Sequence, residues 1–446
     1  MRGWVHYCAR AALIAAGLCV AATAHAEPWP AAARAMLPPE IPTYFTPQEF
    51  ARGHAYAASG YWLFAAGLAV RLGVLLVLVL TPASAALRTW ALRRTGGRPL
   101  VATALYATVV VLGITVLRLP IVYYSGFVRG HAFQLSTETL AGWGATWVKS
   151  LGLTLVVVLF LCCLLTVLWR RAGARWALWG WGACGLAVLV VVALAPLVLD
   201  PLFDPIHPLQ DPALRQRIVT LAARAGLNVD QVYVSEASHR TTVENAYFTG
   251  LGPTKRVVLY DTLLQHNDPD AVVAVVAHEL GHWRHGDIWK GIGWSLLGLA
   301  ICFWCTARVL RWAAQGHRFH LTGPADIAAL PLVALVFLGL TLVSLPLQNA
   351  ISRSFERGAD RASLEFTQDP AAFIRAQVQL ARADLVDLAP PQAVVTLLYT
   401  HPPTVDRIRM AEAFAARQAG TQPDHSSPPL KGEPGPEHGR VKGPPR

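Results

Sequence analysis

Residues 271–285 read AVVAVVAHELGHWRH, an apolar run that ends in histidines and a glutamate. An α-helix turns about 100° per residue, so His278 and His282 project from one face, one turn apart. Two imidazoles in this arrangement can bind one zinc ion, and Glu279 then points toward the open metal position, where it can take a proton from water. The Asp-Pro-Asp triplet at 268–270 predicts the start of the helix. Because this pattern also arises by chance, the rest of the site must come from other segments.

The third metal ligand has to be found elsewhere in the chain. Ile288 stands six residues beyond the second histidine, which excludes the third histidine of the metzincin pattern. We expect His285, at the helix end, to be solvated or outside the ligand shell. Glu356 is the better candidate, because it and Asp360 lie one helical turn apart and can face the same site. The spacing is also compatible with an exposed helix whose charges form surface ion pairs, so both readings stay open.

The composition indicates a membrane protein. The chain has 446 residues, of which 54% are hydrophobic and 15% charged, whereas soluble domains carry about 25% charged residues. The net charge of +11 comes largely from arginines in short loops, so we do not expect nucleic-acid binding. Apolar runs long enough to cross a bilayer, at about 20 residues each, occupy residues 61–80, 100–117, 151–169, 176–199, 288–307 and 327–347.

The loops between these runs predict the orientation. Three short loops lie on one side of the membrane, and the positive-inside rule makes that side cytoplasmic. Residues 1–26 read as a signal peptide with an Ala-His-Ala cleavage site, or as a first membrane anchor; both place residues 27–60 outside the cytoplasm. In a bacterium, the site would face the periplasm from the inner membrane. The loop arginines are Arg88, Arg93, Arg94, Arg98, Arg170, Arg171, Arg175, Arg308, Arg311 and Arg318.

The polar segments are predicted to form one catalytic domain. Four spans within residues 61–199 come first. The catalytic domain would then be built from residues 200–287 and 349–417, which are separated in sequence by the two spans within 288–348. The pattern predicts an amphipathic helix at 211–227 and strands at 232–234, 245–249 and 256–260. The tail at 418–446, rich in glycine, proline and serine, is predicted to be disordered. All seven cysteines lie in or beside apolar runs, which favours packing roles over disulfides or metal binding.

Several separated motifs resemble those of the type I CAAX prenyl protease family, integral-membrane zinc metallopeptidases that include the a-factor-converting enzyme. The similarity extends from about Phe45 to Phe414. The motifs are Gly126-Phe127 with Gln134-Leu135, DPLFD at 200–204, NAYFTG at 245–250, VVLYDTLL at 257–264, HELGHW at 278–283, SRSFERGAD at 352–360, and His401-Pro402-Pro403 with Arg407.

This resemblance implies an α-helical multi-pass membrane protein with six to seven transmembrane helices around a chamber. A zincin-like α/β metalloprotease domain of the gluzincin type would close the chamber. The resemblance also implies one Zn²⁺ per chain and a role for each motif residue. Zinc would be bound by His278, His282 and Glu356, with Asp360 accepting a hydrogen bond from a zinc-bound histidine and Glu279 acting as the base. Asn245, Ala246 and Tyr247 would lie on an edge strand that pairs with substrate. His401 and Arg407 would donate to the substrate carbonyl or oxyanion.

The expected partners are a membrane-associated polypeptide substrate and the lipid bilayer, with the chain acting as a monomer. Eukaryotic members of the family have a long insertion before the zinc helix, whereas only residues 265–276 intervene here. An extracytoplasmic site argues against prenylated CAAX proteins as substrates, because those proteins are cytoplasmic. The alternatives are a quality-control protease like the bacterial heat-shock membrane metalloprotease, or a non-catalytic membrane scaffold or transporter.

Overall fold

The structure is a computed structural model that describes residues 37–198, 200–227, 231–250 and 255–421. The predicted signal peptide or anchor at residues 1–26 lies outside the described residues, as does the tail beyond residue 421. The described part contains six helices that are long and apolar enough to cross a membrane.

The amino-terminal part is helical and contains four of these six helices. Helix α2 begins well before the predicted span at residue 61, because Thr46 and Glu49 form a reciprocal capping box at its first turn. The predicted loop after the first span contains a helix of its own, α3. The elements are α1 (Glu40–Tyr44), α2 (Pro47–Leu80), α3 (Ala83–Arg94), α4 (Pro99–Tyr123), a π-helical turn (Tyr124–Val128), α5 (Arg129–Ala132), α6 (Leu140–Arg171) and α7 (Trp176–Val198).

A small mixed sheet and its helices follow the fourth span. The predicted amphipathic helix and all three predicted strands are present, and a short strand, β1, was not predicted. The order of the described strands is β1-β2-β4-β3, so β3 lies at an edge of this sheet and is antiparallel to its neighbour β4. The elements are α8 (Asp200–Phe203), β1 (Ile206–Pro208), α9 (Pro212–Arg224), β2 (Val232–Ser235), β3 (Ala246–Thr249), β4 (Arg256–Tyr260), α10 (Asp261–His266) and α11 (Pro269–His285).

The last two spans lead back to the catalytic domain. In α13 the apolar run ends near Leu347, but the helix continues to Thr367 and carries Glu356 and Asp360 out of the membrane. The last helix, α16, ends at Thr421, so the boundary predicted at residue 418 is wrong by four residues. The elements are α12 (Asp287–Gln315), α13 (Leu330–Thr367), α14 (Pro370–Ala383), α15 (Gln392–Leu398) and α16 (Thr404–Thr421).

The core of the catalytic domain packs α9 and α11 against the sheet. Ile218 from α9, Val257 and Leu259 from β4, and Val276 and Leu280 from α11 are all fully buried. On α11 the buried valines and leucine recur at helical spacing, which turns one face to the sheet. The histidine face of α11 is thereby directed toward α13.

The loop that follows α5 ties the membrane helices to the catalytic domain. The Leu135 carbonyl oxygen accepts hydrogen bonds from Thr241 Oγ1 at 2.9 Å and from the Thr242 backbone N–H at 3.2 Å. Nearby, Arg240 forms a bidentate pair with buried Asp204, with both distances at 2.6 Å. The motif around Gln134-Leu135 therefore holds the two parts of the molecule together, whereas the pair of Asp204 with Arg240 lies within the catalytic domain.

Two arginines lie on the membrane helices away from the predicted cytoplasmic loops. Arg71 is on α2 and Arg118 is near the carboxyl end of α4. Charged side chains within membrane spans usually face the bundle interior or a water-filled cavity. Their positions are compatible with the expected chamber, which stays a prediction.

Candidate active site

Helix α11 places the HELGH residues in its last two turns. At its start, Asp268 accepts hydrogen bonds from the backbone N–H groups of Asp270 at 3.0 Å and Ala271 at 2.9 Å. The helix ends where Gly286 adopts the left-handed conformation, with φ of 66°. Both ends are therefore encoded locally, and the predicted helix with its Asp268 cap is confirmed.

Three ligand atoms converge where α11 meets the extramembrane part of α13. One atom each from His278, His282 and Glu356 lie within 4.8 Å of one another. His278 Nε2 is 3.2 Å from Glu356 Oε2, and His282 Nε2 is 3.4 Å from Glu356 Oε1. The structure thus brings together the three residues that the sequence analysis assigned as metal ligands.

A carboxylate holds the far side of each imidazole. His278 Nδ1 is 2.8 Å from Asp360 Oδ1, and His282 Nδ1 is 3.0 Å from Asp287 Oδ2. Because ionised carboxylates only accept hydrogen bonds, both Nδ1 atoms carry the proton. In the neutral tautomer that carries this proton, Nε2 of each ring presents a lone pair toward Glu356, which is the orientation that metal-binding histidines adopt.

The donor set fits a zinc ion. Among the described residues, Glu356 Oε2 is buried without a hydrogen-bond partner, and the Nε2 atoms of His278 and His282 face the same carboxylate. A buried carboxylate is stabilised by a cation, and the lone pairs of neutral imidazoles are ligands for a metal ion. Two imidazoles and one carboxylate are ligands that zinc accepts at catalytic sites. The alternative of exposed ion pairs is wrong, because Glu356 is only 8% exposed and Asp360 is fully buried.

The glycine of HELGH allows the two helices to meet. A Cβ atom at Gly281 would lie 2.9 Å from Ala359 Cα and 2.9 Å from Ala362 Cβ, closer than such atoms can approach. About two turns earlier on α11, the Ala274 carbonyl oxygen accepts a hydrogen bond from Ser363 Oγ at 2.7 Å. The distance between α11 and α13, and with it the reach from the histidines to Glu356, therefore depends on this glycine.

Glu279 lies between the ligands and the edge strand β3. Its Oε2 accepts a hydrogen bond from the Phe248 backbone N–H at 3.4 Å. Asn245 already pairs with Tyr260 through its carbonyl oxygen, so by antiparallel alternation the N–H and C=O groups of Ala246 and Phe248 point away from β4. Burial raises the pKa of Glu279, and the two neighbouring histidines lower it in part. A carboxyl group in this environment is suited to both taking and returning a proton.

A cavity of about 480 Å³ opens beside these groups. Asn245 and Ala246 line it together with His278 and Glu279. A second cavity of about 270 Å³ lies on the other side of Glu279, along Phe248. Of the three predicted substrate-binding residues, Tyr247 does not line the larger cavity; its ring packs edge-on against Tyr260 of β4 at 6.4 Å. A groove therefore follows the free edge of β3 past the ligand cluster.

The two predicted oxyanion donors both line the larger cavity but contact different carboxylates. His401 is 58% exposed, and its Nε2 is 3.3 Å from Glu356 Oε2. Arg407 reaches Asp360 in a bidentate pair, Nη2 to Oδ1 at 2.6 Å and Nε to Oδ2 at 3.0 Å. His401 is thus at the open side of the cluster, whereas Arg407 supports the carboxylate that orients His278. This partner of Arg407 was not predicted.

Asp287 is a site residue that the sequence analysis missed. It begins α12 directly after the Gly286 helix end and is 7% exposed. The available signal was a carboxylate five residues beyond the second histidine, just past a glycine that reverses the backbone. His285 is exposed, with its ring beside Gly358, and does not belong to the ligand cluster.

A membrane bundle joined to a two-histidine, one-glutamate metal site defines a class, the integral-membrane metallopeptidases. Two family models match the chain: peptidase family M48 at residues 208–415, and the CAAX prenyl protease N-terminal region, described as five membrane helices, at residues 31–205. The chain belongs to peptidase family M48 and is a membrane zinc metalloprotease. The described residues of the second range contain four long apolar helices.

Individual relatives and one solved structure agree with this assignment. A Bacillus subtilis protein named uncharacterized metalloprotease YhfN is 30% identical over 83% of the chain and 87% of its own length. CAAX prenyl protease 1 of Saccharomyces cerevisiae is 32% identical over 42% of each protein. The crystal structure of S. mikatae Ste24p superposes with a TM-score of 0.73 at 23% identity, covering 91% of this chain and 96% of that one. The fold is therefore that of Ste24p.

Proposed function

We propose that the protein is an endopeptidase that cleaves membrane-associated polypeptides on the extracytoplasmic side of the membrane, as a monomer with one zinc ion per chain. The observation that carries this proposal is the continuity of α13. The same helix crosses the membrane and supplies Glu356 to the ligand cluster. Tyr56 and Tyr61, at the start of the first span, line the larger cavity. A substrate held at the membrane surface would therefore lie beside the metal site.

His278, His282 and Glu356 would hold the zinc ion, with Asp360 and Asp287 fixing the two imidazole rings. When bound, zinc supplies Lewis acidity that polarises the scissile carbonyl and makes water easier to deprotonate. The substrate chain adds to β3 through the outward N–H and C=O groups of Ala246 and Phe248.

Glu279 Oε2 takes a proton from the attacking water and later returns it to the leaving amine. His401 donates through Nε2 to the oxygen on which negative charge develops. Arg407 acts through Asp360, which its guanidinium keeps ionised and in place beside His278.

The direct test is Glu279→Gln in detergent-purified protein, assayed with internally quenched peptides. We expect zinc content to be unchanged and kcat to fall by about 10³-fold or more, because the amide cannot accept the proton from water. Glu365→Gln, the same substitution at an exposed position of α13, is the matched control and should leave activity unchanged. Wild-type cleavage kinetics in the Glu279→Gln variant would refute the mechanism.

Two substrate ranges are compatible with the site. The enzyme either matures particular clients or removes damaged membrane proteins, and the groove along β3 serves both. Polypeptides trapped by the Glu279→Gln variant and identified by mass spectrometry would separate the two, since a few recurring sequences indicate maturation and a broad set indicates turnover. The family assignment and the complete ligand set leave the non-catalytic scaffold or transporter without support.

A further inference from the structure

One carboxylate in the larger cavity has no role in the chemistry described above. Asp384 follows the last residue of α14 and lines the cavity together with Glu244, Asn245 and Glu279. Within the described part of the chain, its carboxylate accepts a single hydrogen bond, from the Glu244 backbone N–H to Oδ1 at 3.3 Å. Among the described residues, no lysine, arginine or histidine lies within ion-pair distance of Asp384.

The surroundings of Asp384 disfavour a negative charge on three counts. Its side chain is removed from water, the Glu244 carboxylate is close, and the carboxyl end of α14 carries a partial negative charge of its own. Burial, with the help of Glu244, raises the pKa of Asp384 to about 7. Glu244 is itself buried and has its own partners: it accepts hydrogen bonds from Asn267 Nδ2 at 2.6 Å and Gln379 Nε2 at 2.9 Å, and His266 Nδ1 lies 3.2 Å from its Oε1. None of these partners reaches Asp384.

The backbone around Asp384 is held in a strained form. Leu385, the next residue, has φ of 52°, a left-handed conformation that a leucine rarely adopts. The loop is pinned against α2, where a Cβ atom on Gly53 would lie 2.5 Å from the Val386 carbonyl oxygen. Strain of this kind persists where the surrounding structure fixes a functional group. The loop therefore presents an unpaired carboxylate to the cavity at a defined place.

That place is the amino end of β3. Asp384 contacts Glu244, whereas Glu279 contacts Phe248, four residues further along. At about 3.3 Å per residue, the two contacts are about 13 Å apart along an extended chain, or about four substrate residues. A substrate strand that pairs with β3 would therefore carry a side chain to Asp384 within four residues of the scissile bond.

We propose that Asp384, with Glu244 behind it, forms an acidic subsite that binds a cationic side chain, lysine or arginine, of the polypeptide substrate. An ammonium or guanidinium group would supply the positive charge that no described residue provides beside Asp384, since His266 pairs with Glu244 only. This inference rests on the proposed function only in assuming that the substrate strand pairs with β3. It adds a selectivity: basic residues at one position near the cleaved bond.

The experiment uses quenched peptides that differ only by lysine, norleucine or glutamate at each of the four positions on either side of the scissile bond. For the wild-type full-length enzyme we expect one position at which lysine exceeds norleucine about tenfold in kcat/KM, the scale of a charge-assisted hydrogen bond, with glutamate lowest. In Asp384→Asn the lysine-to-norleucine ratio should fall to about one, and in Asp384→Lys glutamate should exceed lysine. Asp384→Asn removes an uncompensated charge and should fold. Glu365→Gln should keep the wild-type ratio.

Peptide binding to an inactive variant tests the subsite independently of catalysis. Fluorescence anisotropy of the same peptides on the Glu279→Gln protein should show the same lysine preference, lost when Asp384→Asn is added. If no peptide is cleaved but this Asp384-dependent preference is found, the proposed function fails and the subsite stands. If peptides are cleaved or bound without preference for lysine at any position, or with a preference that Asp384→Asn leaves intact, the subsite is overturned.

Discussion

At the residue scale, the site consists of ligands and of the carboxylates that orient them. His278 and His282 follow from helical geometry alone, since any helix places residues four apart on one face. From spacing alone, Glu356 could be a metal ligand or part of an exposed ion pair, because a third ligand distant in sequence leaves no local signal. The family resemblance favoured the ligand. Asp287 was missed although a carboxylate just past a glycine was visible, since its contact with His282 depends on the left-handed backbone of Gly286.

Asp287 provides the residue-scale prediction. Replacing it with alanine removes the partner that fixes the tautomer and orientation of His282, so we expect the dissociation constant for zinc to rise about 10- to 100-fold. Competition with a chromophoric chelator measures this constant. Asp270→Ala, on α11 in a solvent-exposed pair with Arg217, should leave it unchanged. Equal zinc affinity in Asp287→Ala and wild type would show that His282 needs no such support.

At the element scale, the sequence predicts helices and strands well where an amphipathic or apolar pattern runs over several turns or residues. It predicts α9 and the strands β2, β3 and β4, but not β1, whose three residues are too few to show a period. The extension of α13 was also not evident, because the apolar signal stops near Leu347 while the backbone continues as one helix to Thr367. The close approach of α11 to α13 requires the glycine of HELGH, but the motif alone does not predict which helix packs against it.

Gly281 provides the element-scale prediction. Its replacement by alanine inserts a methyl group where no space exists, so α11 and α13 must separate and the histidines move away from Glu356. We expect a loss of stability of about 1–3 kcal/mol together with loss of zinc, measured by thermal unfolding and metal analysis. The control is Gly291→Ala on α12, where a Cβ atom would meet nothing within 4 Å. Full zinc content in Gly281→Ala would mean that the helices tolerate a wider separation.

At the scale of the whole molecule, the catalytic domain is assembled from two segments that the last two spans separate. The composition and the loop arginines predict six spans and a side for the site, and the described residues contain six such helices. The mutual arrangement of the spans, the docking through Leu135 and the pairing of Asp204 with Arg240 depend on contacts between segments far apart in sequence. Hydrophobic periodicity and local motifs do not predict such long-range contacts.

The orientation of the molecule can be tested by cysteine labelling in a bacterial inner membrane. In a chain whose seven native cysteines are replaced, Glu365→Cys should react with a membrane-impermeant maleimide in intact spheroplasts, because the loop arginines predict that α13 emerges on the extracytoplasmic side. Arg94→Cys, at the exposed end of α3, should react only after the membrane is opened. The reverse labelling pattern would place the site in the cytoplasm, where prenylated CAAX proteins could again be considered as substrates.

The most direct measurement is the zinc content of the purified wild-type protein beside that of Glu356→Ala. A carboxylate carried out of the membrane by α13 completes the donor set, so we expect one zinc per chain in the wild type and little in the variant after dialysis, with Glu365→Ala retaining the full amount. A wild-type protein without zinc, or a Glu356→Ala variant that holds it as firmly as the wild type, would contradict the account.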